Sequence, residues 1–233
     1  VAHYGLDRLA ADAATVARLA AGRAVHLVGH DWGGLVAWWT AVVHPESVAS
    51  LTILNAPHPQ AFGGYLAQHA SQRRRSRYIA FFQLPWLPEA MLGAGGCRRL
   101  RETLLRTSRP GTFSDADLAR YVEAWQRPGA LTAMLNWYRA SPMQVPAMDA
   151  PAEMTPFLAA PFPKLTMPVL VIWGMKDEAL LPCQLDGLET HIDTLTVVRV
   201  ADAGHFIPWE RPAAVSAAMR DCSMSVTWGV SVS

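Results

Sequence analysis

Residues 24–34, with the sequence AVHLVGHDWGG, decide the fold of this chain. The apolar run 24–28 predicts a buried strand, and the apolar stretch 35–43 predicts a helix. Between them, residues 29–34 match the glycine–x–nucleophile–x–glycine pattern of a strand-to-helix elbow, with Asp31 where serine is usual. Such a turn strains its central residue, and the flanking glycines leave room for the neighbouring strand and helix. The simpler interpretation is a glycine-rich turn in which Asp31 caps the helix.

Strand and helix patterns alternate on both sides of this turn. The apolar periodicity predicts helices over residues 6–20 and 213–219, and strands over 48–54, 168–173 and 195–200. Alternation at this spacing is typical of an α/β protein with a mostly parallel sheet, here of about four strands.

The middle of the chain differs, because no strand pattern occurs from about residue 57 to 163. Its helical patterns are interrupted by prolines and glycines, and Ser114 and Asp117 are placed as a capping box. A helical block between strands predicts a cap over the carboxyl edge of the sheet, where such folds place their sites. We therefore divide the chain into a first core part (1–57), a helical cap (58–163), a second core part (164–220) and an atypical tail without helical period (221–233).

The composition excludes several classes of protein. The chain has 233 residues, of which 51% are hydrophobic and 17% charged, unlike a disordered chain. A net charge of +1 gives no reason to expect nucleic acid or an acidic membrane as a partner, and no apolar run reaches the ~18 residues of a membrane span. Three scattered cysteines without a metal-binding spacing are typical of a reducing compartment. We therefore expect a cytoplasmic protein.

Two further residues follow predicted strands and complete a pattern with Asp31. Asp177 ends the segment WGMKD after the third strand, and His205 lies in DAGHF after the fourth. Each alone could be an ordinary turn or loop residue. A hydrolase triad typically has its nucleophile, acid and histidine in this chain order, each at the carboxyl end of a strand.

At this point the chain resembles α/β-hydrolases of the epoxide hydrolase and haloalkane dehalogenase group, over residues 1 to about 220. The segments that carry the resemblance are 29–34, 55–59 (NAPHP), 173–177 and 204–206. The resemblance implies an α/β-hydrolase fold with a helical cap, and it calls for no metal or organic cofactor.

Two cap segments resemble those that hold the ring-opening tyrosines of epoxide hydrolases. They are YIAFFQLP, beginning at Tyr78, and NWYR, which contains Tyr138. Opening an epoxide releases an alkoxide, a poor leaving group to which a phenol can donate a proton, whereas a halide leaves without one. The alternative is that both tyrosines only pack as aromatics on cap helices.

The resemblance implies a two-step hydrolysis of a small apolar epoxide by water. Asp31 would attack an epoxide carbon while Tyr78 and Tyr138 support the oxygen, which gives an alkyl-enzyme ester. The backbone N–H of Trp32 would be one oxyanion donor when that ester is hydrolysed. His205, oriented by Asp177, would then activate the water that hydrolyses the ester.

Two alternatives to this function stay open. A haloalkane or haloacid dehalogenase would use the same triad, with Trp32 holding the halide, although the fluoroacetate type would want an arginine after the nucleophile. The second alternative is a catalytically impaired fragment. The family's His-Gly-x-Pro segment, which supplies the second oxyanion donor, is absent, and only 28 residues precede Gly29. The first four strands of the family would then be lacking, which leaves residues 24–28 as an edge strand that can recruit other chains, so a homo-oligomer is possible.

Overall fold

Four parallel strands form the centre of the fold. The computed structural model describes residues 1–142, 145 and 161–225. The strands are β1 (Val25–His30), β2 (Val48–Leu54), β3 (Val169–Gly174) and β4 (Leu195–Val200). They lie side by side in the order β1-β2-β3-β4, and every neighbouring pair is parallel. The predicted α/β architecture is therefore confirmed.

Helices cover the sheet and fill the connections between the strands. In chain order they are α1 (Leu6–Ala21), α2 (Trp32–Val43), α3 (Pro59–Gln68), α4 (Ala70–Arg75), α5 (Arg77–Phe82), α6 (Leu87–Thr107), α7 (Asp115–Trp125), α8 (Ala130–Ala140), α9 (Ile207–Glu210) and α10 (Pro212–Ser225). Short 3₁₀ turns occupy Ala2–Tyr4, Pro45–Ser47, Pro182–Leu185 and Leu188–Thr190.

The core lies on both faces of the sheet, and β3 shows why. All six of its residues are buried. Val171 and Trp173 join a cluster with residues of α2 and α3, whereas Leu170 and Ile172 join a second cluster with Val215 of α10. Because alternate side chains of a strand point to opposite faces, an unbroken apolar run is needed where helices pack on both sides.

β1 is an edge strand of the described sheet, as the sequence predicts for residues 24–28. It pairs with β2, where His30 lies opposite Leu54, and β4 forms the other edge. Val28 on β1 is 43% exposed. This apolar edge is the surface on which the expectation of a homo-oligomer depends.

In the described part of the chain, six helices, α3 to α8, lie between β2 and β3, in the segment for which the sequence predicts a cap. No strand occurs in the described part of residues 57–163, in agreement with the sequence. Ser114 and Asp117 form the predicted capping box, in which each side chain bonds the other residue's backbone N–H. Residues 143–144 and 146–160 of the predicted cap lie outside the described residues.

The expectation for the tail is wrong at its start. Helix α10 continues to Ser225, so the first five residues of segment 221–233 are helical. Val215, Met219 and Cys222 recur at helical spacing and pack against the second core cluster, which extends the helix past the predicted end. Residues 226–233 lie outside the described part. Among the described residues, no helix combines the length and apolar character needed to cross a bilayer.

Candidate active site

The elbow after β1 holds Asp31 in a conformation that side chains rarely adopt, with φ 52° and ψ −125°. A Cβ on Gly29 would lie 2.4 Å from the Gly33 carbonyl oxygen, and one on Gly34 would lie 2.3 Å from the Ala56 Cβ. A Cβ on Gly33 would meet nothing within 4 Å. The close approach of strand and helix therefore requires Gly29 and Gly34, and the expectation that Gly33 is crowded is wrong.

Asp31 does not act as a helix cap. It occupies the N-cap position of α2, but its side chain makes no capping hydrogen bond. The Trp32 backbone N–H hydrogen-bonds the Asp31 carboxylate and stabilises its ionised form. The side chain of Asp31 is 43% exposed. The carboxylate is thus available to a reactant, and the simpler interpretation of the turn loses its support.

The structure brings Asp31, Asp177 and His205 together at the carboxyl edge of the sheet. His205 Nδ1 lies 2.8 Å from Asp177 Oδ2, and His205 Nε2 lies 3.4 Å from Asp31 Oδ1. The exposed fraction of the side chain is 14% for His205 and zero for Asp177. The imidazole therefore bridges one sheltered and one accessible carboxylate, which is the arrangement of a triad.

Asn55, which follows β2, holds the acid in place. Its Nδ2 donates to Asp177 Oδ2 at 2.8 Å, while its Oδ1 accepts from the Gly174 N–H at 2.7 Å. The backbone N–H groups of Ala179 and Leu180 donate to Asp177 Oδ1, each at 2.8 Å. Asn55 is fully buried and has a φ of 38°. Sequence reasoning missed this role, although the position of Asn55 at the end of a strand was an available signal.

The loop that carries His205 is fixed by two residues that the sequence analysis also missed. His30 Nε2 donates to the His205 carbonyl at 2.8 Å, and the two rings lie 5.0 Å apart. Glu210 on α9 is 5% exposed and accepts from the Gly204 and Phe206 N–H groups at 2.7 and 3.1 Å. These bonds set the ring of His205 between the two carboxylates.

The two carboxylates shift the pKa of His205, and His205 shifts the pKa of Asp31. Burial lowers the pKa of His205, but hydrogen bonds and charges from Asp177 and Asp31 outweigh burial and raise it to about 10. Burial likewise raises the pKa of Asp31, but the hydrogen bond and charge of His205 bring the net value below the ordinary one. Burial and the charge of His205 lower the pKa of His30. The resting site therefore holds an imidazolium between two carboxylates.

These shifts make a prediction about stability. Because folding raises the pKa of His205 above its ordinary 6.5, its contribution is fully present below about pH 6.5 and is lost as the pH rises toward about 10. We expect the free energy of unfolding to fall over this range, and to fall less in His205→Gln. Denaturant titrations at pH values of about 6, 8 and 10 measure both proteins. An equal fall in both would contradict the pairing.

Tyr78 on α5 and Tyr138 on α8 meet over the elbow. Their ring centroids are 5.8 Å apart, and Tyr138 packs edge-on to Trp32 at 4.9 Å. Burial and the charge of Asp31 raise the pKa of both phenols well above the usual range, although 36% of Tyr78 as a whole is exposed. Both hydroxyls therefore stay protonated, and the charge of Asp31 contributes to raising the pKa of each.

A parallel sheet with an aspartate elbow and an acid–histidine pair at its carboxyl edge defines the α/β-hydrolase class. Comparison with known proteins agrees, since the family model of the alpha/beta hydrolase fold matches residues 2–212. The chain belongs to this family, and within it to the epoxide hydrolase-like group.

Relatives and solved structures support the assignment to that group. One structure, described as novel epoxide hydrolases of the alpha/beta hydrolases superfamily in metagenomes from hot environments, is 41% identical with a TM-score of 0.85, and the match covers 95% of this chain and 75% of that one. Bacillus megaterium epoxide hydrolase is 27% identical with a TM-score of 0.83, over 95% of this chain and 77% of that one.

The curated relatives are longer than this chain. AB hydrolase superfamily protein YfhM of Bacillus subtilis is 38% identical over 82% of this chain and 62% of its own length. Human Epoxide hydrolase 4 is 30% identical over 82% of this chain and 51% of its own length. The chain thus spans between about half and two thirds of the length of these two relatives.

Proposed function

We propose that this protein hydrolyses small apolar epoxides to diols through an ester on Asp31. The observation that carries the proposal is the pair of protonated tyrosine hydroxyls, Tyr78 and Tyr138, held near a carboxylate at an elbow. Epoxide opening needs a carboxylate that attacks the carbon and acidic groups that donate to the departing oxygen from the other side of the substrate. The aromatic rings of Trp32 and Trp137, 5.9 Å apart, suit an apolar substrate.

In the first step, a carboxylate oxygen of Asp31 bonds to an epoxide carbon while the carbon–oxygen bond of the ring breaks. The tyrosines hydrogen-bond the departing oxygen and pass it a proton. Esterification neutralises Asp31, one of the two carboxylates that raise the pKa of His205. The imidazolium then gives up its proton, which restores the tyrosine hydroxyl and balances the proton that the new hydroxyl group gains.

In the second step, neutral His205 takes a proton from water, and the hydroxide adds to the ester carbonyl carbon. Asp177 stabilises the imidazolium that forms, and the Trp32 N–H stabilises the oxyanion. Collapse of this intermediate breaks the bond between the carbonyl carbon and the oxygen that carries the alkyl group, and the proton of the new carboxylic acid moves to that departing diol oxygen. The carboxylate of Asp31 and the imidazolium of His205 are both restored.

A dehalogenase with the same triad is less well supported. Such an enzyme needs N–H donors directed at the halide, and Trp32 was the candidate. The Trp32 ring instead packs edge-on against the Tyr138 ring, with centroids 4.9 Å apart. This contact places an acidic hydroxyl beside Trp32, a donor that a departing halide does not need.

The function is tested by assaying the purified protein against matched panels of epoxides and haloalkanes. We expect diol formation and little halide release. The assay includes a second form that carries an added N-terminal segment able to pair with β1. Halide release without diol would favour the dehalogenase, and inactivity of the 233-residue form with oligomers on size exclusion would favour the impaired fragment.

Replacing the tyrosines should affect epoxide opening specifically. We expect Tyr78→Phe and Tyr138→Phe each to slow ester formation about 10- to 10²-fold, and the double variant up to about 10⁴-fold. Both phenols donate to the same departing epoxide oxygen, so the remaining one still acts in each single variant. Stopped-flow single-turnover rates measure the effect, with Tyr121→Phe on α7 as a matched control. Unchanged rates in both single variants would mean that the tyrosines only pack.

A further inference from the structure

Arg139, which follows Tyr138 on α8, connects three cap helices. Its Nε donates to the Phe82 carbonyl at 3.0 Å and its Nη2 to the Leu84 carbonyl at 2.8 Å, both at the end of α5. Its Nη1 and Nη2 also donate to the two carboxylate oxygens of Glu89 on α6, at 2.6 and 3.0 Å. Because the guanidinium is planar, these contacts fix orientation as well as distance.

The ion pair of Arg139 and Glu89 differs from the other pairs of the cap. The exposed fractions of the two side chains are 15% and 21%, against 71% and 74% for Arg127 and Glu123. The mutual hydrogen bonds lower the pKa of Glu89 and raise that of Arg139, so both stay charged. An exposed ion pair contributes little to stability, whereas a largely buried bidentate pair fixes the relative position of its two side chains.

The carbonyl that Arg139 holds belongs to a residue in contact with both tyrosines. The Phe82 ring packs edge-on to Tyr78 at 5.4 Å and to Tyr138 at 4.9 Å between centroids. Gln83 adds a second link, since its Nε2 donates to the Tyr138 carbonyl at 3.0 Å. The helices that carry the two tyrosines are thus joined at the level of the phenols.

We propose that Arg139, held by Glu89, is a positioning residue that sets the spacing of the Tyr78 and Tyr138 hydroxyls. The inference rests on the proposed epoxide hydrolysis. Arg139 acts through Phe82 and the tyrosines, without touching the reacting atoms. Ester formation uses the tyrosines, whereas ester hydrolysis uses groups on the sheet. Loss of the guanidinium therefore slows the first step and spares the second.

Two substitutions separate positioning from charge. Arg139→Met removes every contact, whereas Arg139→Lys keeps a cation for Glu89 but loses the planar contacts to the Phe82 and Leu84 carbonyls. We expect both to slow single-turnover ester formation about 10- to 10²-fold, the cost of a small misplacement. Ester hydrolysis should change less than about twofold by the same reasoning. Arg127→Met, which breaks an exposed pair in the same cap, should change neither rate.

A double-mutant cycle provides the decisive readout. In a Tyr138→Phe background, Arg139→Lys should cost no more than about threefold in ester formation, because the spacing of the two hydroxyls has no effect once one of them is absent. Additive losses, or equal slowing of both steps, would overturn the inference.

Two controls complete the design. If Arg139→Met fails to fold, Arg139→Lys carries the test, and normal ester formation in that variant overturns this inference alone. Absence of ester in the unsubstituted protein overturns the proposed function and this inference together.

Discussion

Asp31→Asn is expected to lower epoxide turnover about 10⁵- to 10⁶-fold, the loss seen when a covalent nucleophile is removed. The amide is a very weak nucleophile, so no ester forms. Asparagine tolerates the positive φ of this elbow, and the substitution therefore tests chemistry more than folding. Steady-state diol formation measures the effect, and Asp12→Asn, which removes an exposed carboxylate on α1, is the matched control.

Isotope labelling identifies the attacked atom. Single turnover in heavy-oxygen water should place the solvent oxygen in the carboxylate of Asp31, because water attacks the ester carbonyl rather than the substrate. Mass spectrometry of the peptide that contains Asp31 detects the label. Label in the first-turnover diol, with none in the carboxylate, would show direct attack by water on the substrate and would contradict the ester mechanism.

His205→Gln should let the alkyl ester on Asp31 accumulate. Asp31 is ionised without help and can attack, but hydrolysis lacks its base, so turnover falls by about 10²- to 10⁴-fold. Intact-protein mass spectrometry should show an adduct equal to the mass of the epoxide.

The control for this variant is His69→Gln, which removes an exposed histidine outside the site. It should form no lasting adduct. Rapid full turnover by His205→Gln would refute the role of the histidine as base.

The strands and the proximity of Asp31, Asp177 and His205 could be predicted because local signals and chain order determine them. The apolar run of β3 and the alternation with helices predict a parallel sheet, and a parallel sheet brings Asp31, Asp177 and His205 to one edge. The strands 48–54 and 195–200 match the structure at both ends. The two tyrosines came from resemblance to the family, because periodicity in the cap indicates helices without indicating which faces meet.

What the sequence could not predict depends on contacts between distant segments. Asn55 lies 122 positions before Asp177, and no local pattern shows that their side chains meet. His58, beside proline, lies in the loop before α3 as expected of a loop histidine, but no local pattern shows that it is 1% exposed and stacks on His191 at 4.5 Å, with a pKa lowered by burial to about 3. Tertiary packing decides such cases.

The location of a break inside α6 is a second feature that the sequence does not predict, although prolines and glycines interrupt the helical patterns of this region. Residues 94–97 leave helical geometry, and Cys97 there adopts a φ of 63°. The two preceding glycines permit such a break, but glycines also occur in continuous helices. Only the packing of the buried Cys97 decides between these outcomes.

The position of the cap between β2 and β3 has an evolutionary consequence. These strands are neighbours, with Leu54 opposite Ile172, so any segment that joins them must already cross over the sheet. Lengthening such a crossover costs little, about 0.6 kcal/mol of closure entropy for each doubling. In the proposed mechanism, residues at the edge of the sheet make and cleave the ester, while the inserted helices carry the tyrosines that donate to the leaving oxygen. Related proteins can therefore differ in the inserted helices, and so act on substrates with other leaving groups, while keeping the residues at the edge of the sheet that hydrolyse the ester.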